Sequence, residues 1–252
     1  MDNKIKEESI LGVKIAVTNM NQIVNHIYNN IKDLSGKYIC VSNVHTTVMS
    51  YEDENYRNVQ NSAVLRLPDG GPLSTIQKKR GYKNASRVTG PDLMKRLFED
   101  SDKYSLTHFF YGSTPETLNI LETKLKEKYP NLKIVGKYSP PFRALTAEED
   151  KEIIDMINTS NADIVWVGLG APKQENWMYE HMDKIRGLMI GVGAGFDYHA
   201  GNIKRAPKWM QKCNLEWLYR LFQDPKRLFK RYFNTNLKFV RLVSKENKNG
   251  KI

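Results

Sequence analysis

Cysteine is scarce in this chain, with only Cys40 and Cys213 among 252 residues. Two thiols so far apart make neither a disulfide framework nor a metal knuckle, and they fit a reducing compartment. The five histidines show no H-x-x-x-H spacing, so we expect no structural or catalytic metal. Long apolar runs are missing as well. No window approaches the roughly 18 apolar residues of a spanning helix, and the opening Met-Asp-Asn-Lys-Ile-Lys-Glu-Glu lacks the apolar core of a signal peptide. A cytoplasmic protein, neither integral to a membrane nor exported by that route, is the expectation. Internal repeats and low-complexity linkers are absent too. The glycines match neither the dinucleotide fingerprint nor the P-loop spacing, and no cofactor is expected.

What is present is an alternation of strand and helix patterns over most of the length, which predicts an α/β fold with a largely parallel, Rossmann-like sheet and helices on both faces. Residues 9–34 read as a short strand or hairpin and an amphipathic helix. Tyr38-Ile-Cys-Val41 reads as a strand, with a helix from its polar loop to about Asn61. Further strands are expected at Thr107–Gly112, Leu132–Val135 and Asp163–Val167, and Thr146-Ala-Glu-Glu149 reads as a capping box.

The central stretch is Val64-Leu-Arg-Leu-Pro-Asp-Gly-Gly71. An apolar strand ends in a tight turn, which puts Asp69 at a carboxyl edge, where open α/β sheets bind ligands. Gly70 and Gly71 let substrate or a neighbouring loop approach. Asp69 is thus a candidate general base, against the plainer role of an aspartate bonding its own turn. Asn43 and His45 leave a strand at the same edge. The Asn43 amide suits a sugar or the Asp69 loop and makes it the better candidate, whereas His45 reads first as a solvated loop residue. Arg87 precedes a helix opened by Pro91, where a guanidinium and free N–H groups can hold a phosphate, or where it can simply form an ion pair. Gly168-Leu-Gly-Ala-Pro-Lys-Gln-Glu175 opens onto another helix, with Lys173 and Gln174 at its start. Asp100-Ser-Asp102 formally matches the metal-binding Asp-x-Asp of many sugar-nucleotide transferases, but its place at a polar helix end reads as a solvated turn.

Charge is distributed unevenly. Lys204 to Ile252 hold 14 Lys and Arg against 3 acids, which is the entire net excess of +11. We therefore divide the chain into an α/β unit, 1–203, and a basic, aromatic-rich helical appendage, 204–252. Asp224-Pro225 starts its last helix. Leu228, Phe229, Tyr232, Phe233, Leu237 and Val240 share one face there, and Lys226, Arg227, Lys230, Arg231, Lys238 and Arg241 crowd the rest. Such a helix reads as a membrane-surface element on anionic lipid. A non-catalytic nucleic-acid-binding tail and a terminal helix docked by its apolar face are the alternatives, with nucleic acid the weaker.

Five motifs in order resemble the WecG/TagA/CpsF glycosyltransferases: Leu67-Pro-Asp-Gly-Gly71, Arg87-Val-Thr-Gly90, Val167-Gly-Leu-Gly-Ala-Pro-Lys-Gln-Glu175, Gly191-Val-Gly-Ala-Gly-Phe-Asp197, and Arg205-Ala-Pro-Lys-Trp-Met210 with Glu216-Trp-Leu-Tyr-Arg220. The resemblance implies an inverting, metal-independent enzyme. It would move a sugar, often N-acetylmannosamine from its UDP form, to the 4-hydroxyl of N-acetylglucosamine on undecaprenyl diphosphate, in cell-wall or surface-polysaccharide assembly. It implies Asp69 as base, Arg87 on diphosphate, and Asn43 and Gln174 on substrate, with Gly70, Gly168, Gly170 and Asp197 lining the same site. Arg220, Arg227 and Lys230 would reach the diphosphate from the tail, which would rest on the inner face of the cell membrane. A homo-oligomer is left open. Val41 stands where the family commonly has threonine, and Tyr198-His199 replaces a more usual Phe-Leu, a difference that bears on the sugar accepted.

Overall fold

The computed structural model describes residues 5–248. A hairpin opens the chain: β1 (Glu7–Ile10) and β2 (Val13–Ala16) pair antiparallel across Leu11-Gly12, both at positive φ (52° and 83°), the twist that two-residue hairpins favour. There follow α1 (Met20–Asn30), β3 (Tyr38–Ser42), α2 (Val44–Glu52), α3 (Glu54–Ser62), β4 (Leu65–Pro68), α4 (Gly71–Lys79) and α5 (Gly90–Glu99). The next part of the chain gives β5 (Thr107–Gly112), α6 (Pro115–Lys128), β6 (Lys133–Tyr138), α7 (Ala147–Thr159), β7 (Ile164–Gly168), α8 (Lys173–Glu180), β8 (Leu188–Gly191) and α9 (Gly195–Ala200). The basic tail forms α10 (Lys208–Lys212), α11 (Glu216–Gln223) and α12 (Pro225–Lys248).

Among the described residues, six strands make one sheet in the order β4-β3-β8-β7-β5-β6, and every neighbouring pair is parallel. These strands are apolar on both faces because both faces are covered. In β7, Ile164 and Trp166 enter the core beneath α1, α5, α6 and α9, while Val165 and Val167 enter the opposite core beneath α7 and α8. The Rossmann-like α/β expectation is therefore met. The hairpin lies against β4, one of the two edge strands. Buried Arg66 of β4 donates from Nε to the Lys14 carbonyl at 2.6 Å and pairs with Glu7, so the sheet edge is covered rather than open.

Helix starts follow from local sequence. Asn19, Thr89 and Thr114 accept first-turn N–H groups, and Asn43 and Thr146 form capping boxes. One difference stands out: the single helix expected up to about Asn61 is two. Asp53 takes an extended conformation (φ −124°, ψ 111°) and caps α3 by accepting from the N–H groups of Asn55 and Tyr56. A local side-chain acceptor has outcompeted helix continuation.

All the parallel strands end at one edge, so the loops after β3, β4, β7 and β8 meet there. The crossovers β3→β4 and β5→β6 depart in opposite directions, leaving a crevice above β8 and β7 between them.

The tail helix α12 has two apolar stripes where the sequence reading had one. Leu228, Phe239 and Val243 are buried, the last two against Ile10, Leu11, Val13, Ile15, Val48 and Leu73. Glu246 secures this end, accepting from Arg80 Nη2 at 2.9 Å and from the Leu11 N–H at 3.0 Å. Phe229, Phe233, Leu237 and Val240, spaced along the other side, are exposed. If docking of α12 is integral to the fold, Phe239→Ala lowers stability in urea unfolding by about 3 kcal/mol, the usual loss for a buried phenyl ring; an unchanged midpoint would show that the helix is not seated.

Candidate active site

Asp69 sits one residue beyond β4, and its loop is pinned on both sides. The Asp69 N–H donates to the Ser42 carbonyl at 2.7 Å, and the Val88 N–H donates to the Pro68 carbonyl at 2.8 Å. Gly70 turns the chain at φ +87°, a conformation that a side chain would resist. Gly71 is required for a different reason: a Cβ there would lie 1.9 Å from Cγ of Asn214, so the tail rests directly on this loop. Asp69 is half-buried as a residue but its carboxyl is turned away from water, and its pKa is pushed up to about 7. Burial is the main cause, Glu216 adds to it, and Arg87 and Arg220 pull the other way, with Asp92 a further upward push.

Around this carboxyl lies a closed charged cluster. Arg87 donates from Nη1 to Glu216 Oε2 at 3.2 Å and from Nη2 to Gln211 Oε1 at 3.2 Å, with Asp92 3.9 Å away. Arg205 reaches the same groups, with Nη2 3.1 Å from Asp92 Oδ1, Nε 3.0 Å from Glu216 Oε1, and Nη2 3.1 Å from Gln211 Oε1. Thr89 Oγ1 donates to Asp92 at 2.7 Å, and the Gln211 amide nitrogen donates to the Ala206 carbonyl at 2.7 Å, so both acceptors are held in orientation. Arg205 and Arg220 lie 5.1 and 5.6 Å from the centroid of the Tyr198 ring. Arg87 lies near enough to Asp69 to act on its charge, and its guanidinium engages tail residues. His199 bonds the Pro91 carbonyl at 3.0 Å, tying α9 to α5.

The other expected residues are also at this edge, several of them occupied by the protein itself. Asn43 Oδ1 accepts from the His45 and Thr46 N–H groups, capping α2. Gln174 is buried; its Oε1 accepts from the Gly170 N–H at 3.3 Å and the Gly193 N–H at 3.0 Å, and its Nε2 donates to Glu175 at 2.8 Å. It therefore clamps the loops after β7 and β8 together. Glu175 is fully buried with Tyr56 at its carboxyl, and burial raises its pKa. Gly170 (φ +78°) faces open space, whereas a Cβ on Gly168 would meet the Phe196 ring at 2.7 Å, so close packing on α9 accounts for that glycine. Asp197 accepts from Asn202 Nδ2 at 3.1 Å at the end of α9. The side chains of Arg227, Lys230 and Arg231 lie outside the described residues.

Asp100 pairs with Arg96 at 3.4 Å, and Asp102 accepts from Asn131 at 2.7 Å. Among the described residues, no group of three His, Cys, Asp or Glu side chains converges to hold a metal ion, and no helix is long and apolar enough to cross a membrane. Sequence reasoning missed Asp92, Gln211 and Glu216 as partners of Arg87, and Arg205 as a second cation on the same groups. Arg205 and Glu216 stand in the quoted motifs, but no local spacing shows that residues more than a hundred positions apart share one cluster.

The sequence model of the Glycosyl transferase WecG/TagA/CpsF family matches residues 8–252. The N-acetylglucosaminyldiphosphoundecaprenol N-acetyl-beta-D-mannosaminyltransferase of Bacillus subtilis (strain 168) is 32% identical over 98% of this chain and 94% of its own length. The protein of the same name from Bacillus spizizenii is 29% identical over 92% of this chain and 91% of its own. With a match across nearly its whole length and the site motifs gathered at one sheet edge, this chain belongs to the WecG/TagA/CpsF family of glycosyltransferases.

Proposed function

We propose that this protein transfers N-acetylmannosamine from its UDP form to the 4-hydroxyl of N-acetylglucosamine on undecaprenyl diphosphate, by one inverting displacement without a metal. The relatives' shared name supports the reaction class and the acceptor. The observation that carries the mechanism is the Asp69 carboxyl, pushed up to about 7 at the mouth of the crevice. A base tuned close to neutral pH is a stronger proton acceptor than an ordinary carboxylate, yet it is still ionised in slightly alkaline solution.

The acceptor oxygen attacks the anomeric carbon as Asp69 takes its proton. The bond from that carbon to the diphosphate oxygen breaks, and its electron pair leaves with UDP. The positive groups Arg87 and Arg220 stand beside Asp69, where negative charge on a leaving diphosphate would be stabilised. One direct displacement inverts the anomeric centre and needs no covalent nucleophile. The clamp by Gln174 fixes the two glycine loops, so that Gly170 and Asp197 present a rigid wall to the sugar.

The tail, 204–252, is on this reading a membrane-binding appendage that brings the site to a lipid-linked acceptor at the cytoplasmic leaflet. Its support is the exposed stripe of Phe229, Phe233, Leu237 and Val240, with exposed Trp209, Trp217 and Phe222, on a segment holding the chain's entire charge excess. Apolar rings among cations suit an anionic interface.

In EDTA, UDP release from UDP-N-acetylmannosamine should depend on a lipid-diphosphate N-acetylglucosamine acceptor. Asp69→Asn should reduce it about a hundredfold or more with an unchanged circular dichroism spectrum. Full activity in that variant removes Asp69 from the base role, and no release from any UDP-sugar overturns the reaction class. For the tail, Phe229→Ser with Phe233→Ser should weaken binding to anionic vesicles about tenfold or more; equal binding would place the membrane surface elsewhere.

A further inference from the structure

Glu216, which takes no proton in the displacement but adds to the upward shift at Asp69, occupies the centre of the charged cluster. It stands between two guanidinium groups, 3.2 Å from Arg87 Nη1 and 3.0 Å from Arg205 Nε, one oxygen to each. Two arginines converging on one acidic group present the donors that phosphate oxygens take. The four groups of this cluster already balance, since Arg87 and Arg205, two guanidinium groups, face two carboxylates, Asp92 and Glu216. A diphosphate entering beside Glu216 would add several negative charges to a half-buried neutral site, which is costly where charges are poorly hydrated. Exchange with Glu216 keeps both arginines paired.

The two acids differ in how firmly they are held. Asp92 is fixed in the first turn of α5 by Thr89. Glu216 begins α11, in which no residue is fully buried.

We propose that Arg87 and Arg205 form a single diphosphate seat, occupied in the free protein by the Glu216 carboxylate, which an incoming diphosphate displaces. The proposal adds Arg205 as a ligand-binding residue and rests on the reading of Arg87 as a diphosphate group. Departure of Glu216 frees α11 from Arg87 and Arg205, so filling the seat loosens the tail's hold on the site. The ligand chemistry is a diphosphate ester, carried either by the nucleotide or by the lipid.

Calorimetric titration of the full chain with UDP, and separately with farnesyl diphosphate, tests the seat and identifies the source. Glu216→Gln can keep the hydrogen bond to Arg87 but removes the competing charge, and it should tighten one of the two ligands about fivefold. Arg205→Gln should weaken the same ligand about tenfold. A response to UDP assigns the seat to the donor, and a response to farnesyl diphosphate assigns it to the acceptor. Should Arg205→Gln fail to fold by circular dichroism, Arg205→Lys, which keeps the charge and loses the fork, should still weaken that ligand severalfold. Glu216→Gln binding both ligands no tighter than wild type, or an Arg205 variant with unchanged affinity, overturns the seat while leaving Asp69 as base untouched. A wild-type protein that binds neither ligand overturns the seat together with the reading of Arg87.

Discussion

A carboxylate withdrawn from water raises the free energy of its charged form, and the surroundings of Asp69 are organised around that cost. The backbone holds it where it is: β3 and the loop before α5 each contribute a hydrogen bond to its loop, and Gly70 turns the chain immediately after it. Burial and Glu216 push its proton affinity up, and two arginines restrain the shift. The outcome depends on a balance between elements far apart in sequence, so the α/β layer alone does not determine the chemistry of its own carboxyl edge. The first helices of the tail complete it.

The tail thereby has two physical roles that share one segment. Its inner side carries Asn214 onto Gly71, Glu216 onto Arg87 and Arg205, and Phe239 into the pocket formed by the hairpin, α2 and α4. Its outer side leaves Phe229, Phe233, Leu237 and Val240 in contact with solvent. Apolar surface kept exposed in this way is unfavourable unless something covers it. On the reading of a lipid-linked acceptor, the covering surface and the substrate are the same membrane, which links access to the site with attachment.

Much of the layer architecture was legible because periodicity and punctuation agree with the tertiary environment. The continuous apolar runs Tyr38–Val41 and Ile164–Val167 are strands buried on both faces, and Thr146 with Glu149 closes the capping box that its spacing announces. The break at Asp53 escaped because α2 and α3 together carry enough helical pattern to read as one, and one side-chain acceptor decided otherwise. The single face read along α12 failed for a related reason. A helix docked on one side and exposed on another is apolar over a wide arc, and which residues are covered is settled by the hairpin and α2 rather than by the helix itself. At the site, Asp69, Arg87 and Arg220 were legible as chemical types at loop or helix positions. Their mutual setting was not, because an ion pair between Arg87 and Glu216 is a fact of folding with no trace in local spacing.

The central claim is that this fold gives Asp69 the proton affinity of a near-neutral base. A direct test is a carbon-13 NMR titration of the Asp69 side-chain carboxyl in the full chain, assigned by its loss in Asp69→Asn. The account expects a transition at about pH 7. A transition close to pH 4, the ordinary range of an aspartate, would show that the carboxyl is well solvated or fully compensated in the free protein, and would contradict the account.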